Sequence, residues 1–230
     1  MNKTVKILLE IVLLLAICGL VFALVSSIMK PVNFNKQRAH RETVAIQRLK
    51  DIRTLPVSYK SANGRFVSTI DSLKAFYENG KMSIIMQIGS ADDSIAWEHT
   101  EKVKKANRKI TPQQLLEMYE AGDKNLVFSV ETKIPVKDTL FLHRTDFCID
   151  SLSTIPFSGG APVEMEAETR MVSGVLVPLF EARMPYRQLL KGMDNQLRIN
   201  LDAERKDQNK YEGLQVGSVT APNNNAGNWE

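Results

Sequence analysis

Residues 7–29 read ILLEIVLLLAICGLVFALVSSIM, an apolar run whose one ionisable side chain belongs to Glu10. About 20 consecutive apolar residues are enough for a helix to cross the hydrocarbon core of a bilayer. The run contains no proline, so a helix here can satisfy its own backbone hydrogen bonds, as lipid requires. We therefore predict a transmembrane helix over residues 7–29, preceded by a short cytoplasmic tail, residues 1–6.

Two other kinds of targeting segment compete with this interpretation. A cleaved signal peptide has an apolar region of about 7–15 residues, which is shorter than this run. A lipoprotein signal would place its modified cysteine at Cys18, but Ile17 occupies the preceding position, where a small residue is expected. The run also stays apolar well beyond Cys18, as a spanning helix does. A retained signal anchor is therefore favoured.

Basic residues flank the run on both sides, so the positive-inside rule does not decide the orientation. We expect the N-terminus inside and the C-terminus outside, because a short tail before a long apolar run is the usual signal-anchor layout. This predicts a single-pass protein of the inner (cytoplasmic) membrane with its soluble part facing the periplasm or exterior. Four basic residues after the run are candidates for contacts with lipid headgroups, although a solvated helix face explains them equally well: Lys30, Lys36, Arg38 and Arg41.

Bulk composition describes an ordinary globular portion behind the anchor. The chain has 230 residues, of which 43% are hydrophobic, and the portion beyond the anchor suffices for one domain or two small ones. Its formal charge of +4 comes from scattered basic residues, which argues against nucleic acid as a partner. Cys18 lies inside the apolar run, so we expect no disulfide framework. Cys148 is interpreted as a small buried hydrophobe.

The pattern after the anchor predicts an α+β fold. An amphipathic helix over residues 30–64 continues the anchor, with Leu49, Ile52 and Leu55 in its apolar stripe and Gly64 at its end. Pro31 is expected to kink or stop this helix. Residues 65–122 are predicted to be rich in helix, with helices over 68–79 and from Pro112 to about 121, a strand over 82–88 and a polar, partly helical insertion over 90–109.

Residues 123–222 are predicted to be rich in strands, and residues 223–230 to form an irregular tail. A hairpin turn is expected at residues 172–174, and a helical turn or two at 185–190. Together these elements predict a long N-terminal helix, transmembrane and then amphipathic, packed on a small and mostly antiparallel β-sheet with additional C-terminal strands. The expected strands of this region cover residues 126–130, 139–142, 147–152, 163–171, 175–182, 197–201 and 214–219.

The soluble part contains only weak candidates for catalytic or metal-binding residues. His143, Asp146 and Cys148 lie close in sequence, but no second ligand cluster or partner histidine stands at an informative spacing. The alternating acids Glu164, Glu166 and Glu168 could bind a cation, although a half-buried strand with a charged, solvated face explains them without one. We therefore expect no enzyme activity, no catalytic residue, no cofactor and no metal.

Glu10 is the functional candidate within the apolar run. A carboxylate there costs a few kcal/mol at the bilayer centre and less near an interface. One interpretation is an interfacial acid that the bilayer tolerates, since Glu10 lies about one turn into the run. The other is a partner inside the membrane, such as the N-terminal amine of a neighbouring copy, which would set the stagger between packed helices.

The chain resembles type IV pilins and, more closely, the major pseudopilins of type II secretion. Residues 6–10, Lys-Ile-Leu-Leu-Glu, stand where that family has Phe-Thr-Leu-Ile-Glu, and Val5 stands where its processing peptidase needs a small residue. Residues 45–52, 59–66 and 70–73 are similar to the family's helix end, its turn and its following short helix, and residues 227–229 to its closing tryptophan. The ending over 223–230 also resembles single-anchor envelope proteins of Bacteroidota, a likeness that carries no activity.

The pilin resemblance implies a structural role. It implies a membrane-anchored subunit that forms homo-oligomers through its N-terminal helix, in a filament of the envelope or of a secretion system. Glu10 and Lys6 would then be the assembly residues. The alternative is a monomeric, single-pass accessory domain that binds other proteins of an envelope complex, through its C-terminal sheet.

Overall fold

The computed structural model describes residues 3–90 and 92–230, and for residues 3–6 and 9 it describes the backbone alone. The fold is α+β, with one long N-terminal helix and antiparallel sheets of two and three strands, so the predicted fold class is confirmed. The helices are α1 (Lys3–Asn63), α2 (Ile70–Asn79), α3 (Ser94–Ala106), α4 (Pro112–Glu120), α5 (Tyr186–Leu189) and α6 (Asn195–Asp207). The strands are β1 (Lys81–Ile88), β2 (Phe128–Pro135), β3 (Glu164–Val172), β4 (Val175–Pro185) and β5 (Gly213–Gly217).

Helix α1 runs unbroken from the apolar segment into the soluble part. Its 61 residues give a rod about 90 Å long. Pro31 and Pro56 both lie inside it, so Pro31 does not stop the helix. The helix ends where Gly64 takes a φ of +75° and donates its N–H to the Lys60 carbonyl at 2.7 Å.

The chain divides into two compact units. The first unit comprises residues 1–54, 68–70 and 149–230, and the second comprises 55–67 and 71–148. Each unit contains both helices and strands. Helix α1 contributes to both units, since the division falls between Thr54 and Leu55.

The core of the first unit draws on one face of α1 and on the three-stranded antiparallel sheet, ordered β3-β4-β5. Ala45, Leu49 and Ile52 are buried and lie on one face of α1, because residues three and four apart face the same way. The unit's other fully buried side chains come from the sheet and its connections: Leu152, Phe180, Ala182, Met184, Tyr186, Leu189, Leu190, Leu214 and Val216.

The C-terminal residues 223–230 contain no helix or strand, as predicted, but they cover the outer edge of β5. Asn228 donates its backbone N–H to the Gln215 carbonyl at 2.9 Å and accepts from the Gln215 N–H at 3.1 Å. Its side-chain amide also donates to the Gly213 carbonyl at 2.9 Å. Asn228 therefore forms hydrogen bonds with the backbone groups of Gly213 and Gln215 along the free edge of β5.

The core of the second unit forms between α4 and the two-stranded antiparallel ribbon β1-β2. Leu115 of α4 packs with the buried Leu126, Phe128 and Val130. The start of α4 is fixed as predicted, because the Thr111 hydroxyl accepts from the Gln114 N–H in a capping box with proline at the first turn.

Three strand predictions in the C-terminal half are wrong, and so is the predicted burial of Cys148. Residues 197–201 lie within α6, not in a strand, because Asp194 caps the helix by accepting from the Leu197 N–H at 3.0 Å. Residues 139–142 lie in turns, and Ile149–Ser153 forms a short 3₁₀-helix. Cys148 immediately precedes that helix and is exposed, so it is no core residue. The alternation that suggested a strand there arises in an irregular surface segment.

Candidate functional site

The first half of α1 presents a continuous apolar surface to its surroundings. Among the described residues this is the one helix long and apolar enough to cross a membrane, and none of its most apolar window is buried within the protein. A soluble protein rarely exposes an apolar patch of this size. By length and composition the chain therefore fits a single-pass membrane protein. The exposed large side chains of this surface are Ile7, Leu8, Ile11, Val12, Leu13, Leu14, Leu15, Ile17, Leu20, Val21, Phe22, Leu24, Val25, Ile28 and Met29.

The predicted assembly residues lie at the start of this surface. Glu10 is exposed among the apolar side chains. The Lys6 side chain lies outside the described residues. Within the described part of the chain, Lys30 and Lys36 are exposed and form no ion pair, so their side chains are available to headgroups or water.

The other two candidate headgroup residues are held by contacts within the first unit. The Arg41 guanidinium donates to the carbonyl of Leu189 at 3.0 Å and to that of Lys191 at 2.9 Å. It also lies over the Phe157 ring, 5.0 Å from its centroid. Arg38 Nε lies 3.5 Å from Glu42 Oε1. Both side chains therefore also have charged or polar neighbours within the fold.

A buried tyrosine joins α1 to α5 and α6. The Tyr186 hydroxyl donates to Glu42 Oε1 at 2.6 Å, and Arg205 donates to the Tyr186 oxygen at 2.8 Å. Burial raises the pKa of Tyr186, and the hydrogen bond to the Glu42 carboxylate raises it further. The phenol therefore stays protonated and keeps donating to Glu42 well above neutral pH.

Two more arginines of α1 reach the C-terminal half. Arg48 donates to the Thr154 carbonyl at 2.6 Å. Arg53 donates to a carboxylate oxygen of Glu230 at 2.6 Å, which lowers the pKa of Glu230. Sequence reasoning did not predict these contacts. No local signal could find their partners, because those lie 106 to 177 residues away along the chain.

The residues considered for catalysis lie in one exposed segment of the chain. Asp146 is paired with Arg144 at 2.6 Å, and this hydrogen bond lowers its pKa. His143 and Cys148 are exposed. No group of three His, Cys, Asp or Glu side chains in the described part of the chain is placed to hold a metal ion. The second unit does contain an unpredicted pair, since His99 Nε2 lies 2.8 Å from Asp123 Oδ2.

The row of glutamates on β3 surrounds an arginine of the neighbouring strand. Arg183 of β4 lies opposite Glu164 in the register and pairs with Glu164 and Glu166 on β3 and with the buried Glu181. Glu168 pairs with Arg170 at 2.7 Å. The chain thus supplies its own cations, and a bound ion is not needed to explain the acidic row.

A polar cleft of about 500 Å³ lies in the first unit, between α1 and the end of α6. Its charged side chains are Arg38, Arg205, Lys210 and Glu204. A cleft of this kind can hold water or small anions, but it contains no nucleophile paired with a base. No protein-family model, curated protein or solved structure matches this chain.

Proposed function

We propose that this chain is a membrane-anchored, non-enzymatic structural subunit that assembles through its N-terminal helix, as pilins and pseudopilins do. The proposal places the apolar half of α1 in the inner membrane and both compact units on its outer face. The observation that carries it is the continuity of α1, because one helix supplies the exposed apolar surface over residues 7–29 and the buried face at Ala45, Leu49 and Ile52. Such a helix can transmit its packing in the membrane to the soluble part.

Glu10 supports assembly and not anchoring alone. A helix needs no carboxylate to cross a bilayer, and one placed there costs free energy unless it meets water or a partner. In the pilin-like arrangement, the partner is the N-terminal amine of a neighbouring copy. Pairing the two charges would fix the axial offset between adjacent helices.

Cross-linking through a native cysteine tests this arrangement. Cys18 is exposed on the apolar surface of α1, two turns beyond Glu10. In a Cys148→Ser background, mild oxidation of the full chain in its native membrane should link neighbouring copies through Cys18. The Glu10→Ala variant should lose most of this link, whereas the control variant Leu14→Ala should keep it. An unchanged link in Glu10→Ala would contradict assembly through Glu10.

The mature N-terminus gives a separate test. Mass spectrometry of the purified chain should find a start at Lys6 if the chain is processed as pilins are, which would place a free amine near Glu10. A start at Met1 would favour a monomeric accessory domain over a pilin-like subunit. A lipidated Cys18 would replace both with a lipoprotein.

The second candidate function is a monomeric, anchored accessory domain that binds another envelope protein. The β3-β4 hairpin favours it, since β5 pairs with β4 only over Glu181–Pro185 and leaves the distal half of the hairpin two-stranded. The tip of this hairpin exposes Met171, Val175 and Leu176. Under this function, the double variant Met171→Ser/Leu176→Ser should lose its partner, and Glu10→Ala should keep it. Under the first proposal, Glu10→Ala should lose its partner and the double variant should keep it.

A further inference from the structure

Strand β1 leaves one long edge of the second unit unpaired. Among the described strands it pairs with β2 alone, from Lys81 opposite Pro135 to Ile88 opposite Phe128. The backbone groups along its outer edge therefore have no strand partner. The Ile85 side chain, in the middle of β1, is 75% exposed, and Met86 beside it is exposed as well.

The other sheet edges of this chain are protected against pairing. The outer edge of β5 is covered by Asn228. Strand β3 carries a row of exposed glutamates, and β2 exposes Glu131 and Lys133 before it ends at Pro135. Charges, proline and covering segments are the usual means by which proteins prevent sheets from joining edge to edge.

Strand β1 lacks these protections. From Met82 to Ile88 it contains no charged residue and no proline, and its one lysine stands at its first position. A strand of eight residues with an apolar centre is longer and more apolar than most unprotected edges in stable monomers. Its composition therefore indicates an edge that is normally paired.

We propose that β1 pairs antiparallel with β1 of a second copy of this chain, which joins the two ribbons into a four-stranded sheet ordered β2-β1-β1-β2. A two-fold axis perpendicular to the sheet relates the copies, and residues directly opposite one another then lie on the same face. With the axis at Ile85, this residue faces itself, Ser83 faces Gln87 and Lys81 faces Gly89. No like charges meet in this register.

Two features of the chain favour a second copy over a different protein as the partner of β1. In the register centred on Ile85, this apolar residue meets its own copy and the polar Ser83 meets the polar Gln87. The β1 sequence is therefore complementary to itself, as a two-fold interface requires. An anchor also confines copies to the plane of the membrane, which raises their effective concentration and favours weak contacts between them. The pairing is separate from α1 contacts in the membrane, so either interface can form without the other.

Single-cysteine cross-linking of the full chain in nanodiscs tests the register. In a Cys18→Ser/Cys148→Ser background, Ile85→Cys should form a disulfide-linked dimer, because opposite Cα atoms in an antiparallel pair are about 4.5–5.5 Å apart and disulfides need about 4.4–6.8 Å. Ile95→Cys is the matched control, since Ile95 on α3 is also 75% exposed. We expect at least tenfold less dimer from Ile95→Cys. Equal cross-linking of the two variants would overturn the proposal.

Hydrogen exchange of the unmodified chain gives a test without substitutions. Outer-edge amides of β1 should exchange more slowly as the protein concentration rises, and those of β2 should not change. Ile85→Lys would bring two ammonium groups together and should abolish this effect, whereas Ile95→Lys should retain it. Exchange of β1 amides that is independent of concentration would rule out the pairing.

Adding Glu10→Ala to Ile85→Cys separates this inference from the proposed function. We expect the Ile85 disulfide to persist when the helix contact is removed. If the Cys18 link forms in the native chain and the Ile85 link does not, the β1 inference fails alone. If the Ile85 link forms and Glu10→Ala has no effect on the Cys18 link, the pilin-like proposal fails alone.

Discussion

The Tyr186 hydroxyl donates a 2.6 Å hydrogen bond to the Glu42 carboxylate, and so connects the end of the three-stranded sheet to α1. Tyr186 is fully buried, and Arg205 donates to the same hydroxyl. We expect Tyr186→Phe to lower the free energy of unfolding by about 1–3 kcal/mol, because it removes a hydrogen bond to a charged group and leaves both partners less satisfied. Urea denaturation of the detergent-solubilised chain measures this change.

Tyr211→Phe is the control for that substitution. Tyr211 is partly buried in the same unit, but its hydroxyl forms no hydrogen bond with the described residues. We expect it to change the free energy of unfolding by less than about 0.5 kcal/mol at neutral pH. Equal losses in the two variants would mean that the hydrogen bond to Glu42 contributes no stability of its own.

Both tyrosines predict a loss of stability at high pH. Burial raises the pKa of Tyr186, and burial together with the nearby Glu164 charge raises the pKa of Tyr211 to about 12. In the unfolded chain a tyrosine has a pKa of about 10. Above that pH the unfolded state loses its protons first, so the free energy of unfolding should fall as pH rises from about 10 toward 12. Denaturation at several alkaline pH values should show a shallower fall in Tyr211→Phe.

Arg41 should contribute more to stability than a typical surface cation. Arg41→Met removes the donor shared by the Leu189 and Lys191 carbonyls, and we expect it to cost about 1–3 kcal/mol. Lys50→Met is the control, because Lys50 is exposed on the same helix. That change should cost less than about 0.5 kcal/mol. If Arg41→Met were equally mild in thermal denaturation, its hydrogen bonds would contribute little to the fold.

Gly217 and Gly174 should respond differently to alanine. Both have positive φ, at +74° and +84°, so each alanine carries the strain of the left-handed region, about 1–2 kcal/mol. A Cβ at Gly217 would also lie 2.2 Å from the Phe180 carbonyl oxygen, whereas one at Gly174 meets open space. We expect Gly217→Ala to lower the free energy of unfolding by at least about 2 kcal/mol more than Gly174→Ala does. Similar unfolding midpoints for the two variants would contradict this steric account.

The parts of the fold that local chemistry dictates could be predicted from the sequence. The apolar run and the stripe at Leu49, Ile52 and Leu55 indicated α1, and Thr111-Pro112 indicated the start of α4. Alternation and a turn-forming glycine identified the β3-β4 hairpin, which turns at Ser173 and Gly174 with positive φ at both. In each case the residues that specify the structure are neighbours in sequence.

The sequence predictions failed where distant residues or competing local signals determine the structure. Leu197, Ile199 and Leu201 alternate like a strand, but the Asp194 cap and the helix formers between them favour α6. Arg41 and Arg48 could not be separated from solvated cations, because their carbonyl partners are over 100 residues away. For the same reason the Glu42–Tyr186 contact has no signature in the sequence.

The division of the chain also sets an order in which it can fold during synthesis. The second unit is encoded by residues up to 148, but the first unit needs residues 149–230 before Ala45, Leu49 and Ile52 of α1 can be covered. At about 5–20 residues per second, the ribosome takes roughly 9–35 seconds to pass from Arg53 to its partner 177 residues later. Throughout that interval the apolar stripe of the newly made helix is uncovered. A chaperone that meets the chain during synthesis therefore has a defined binding segment and a defined time in which to protect it.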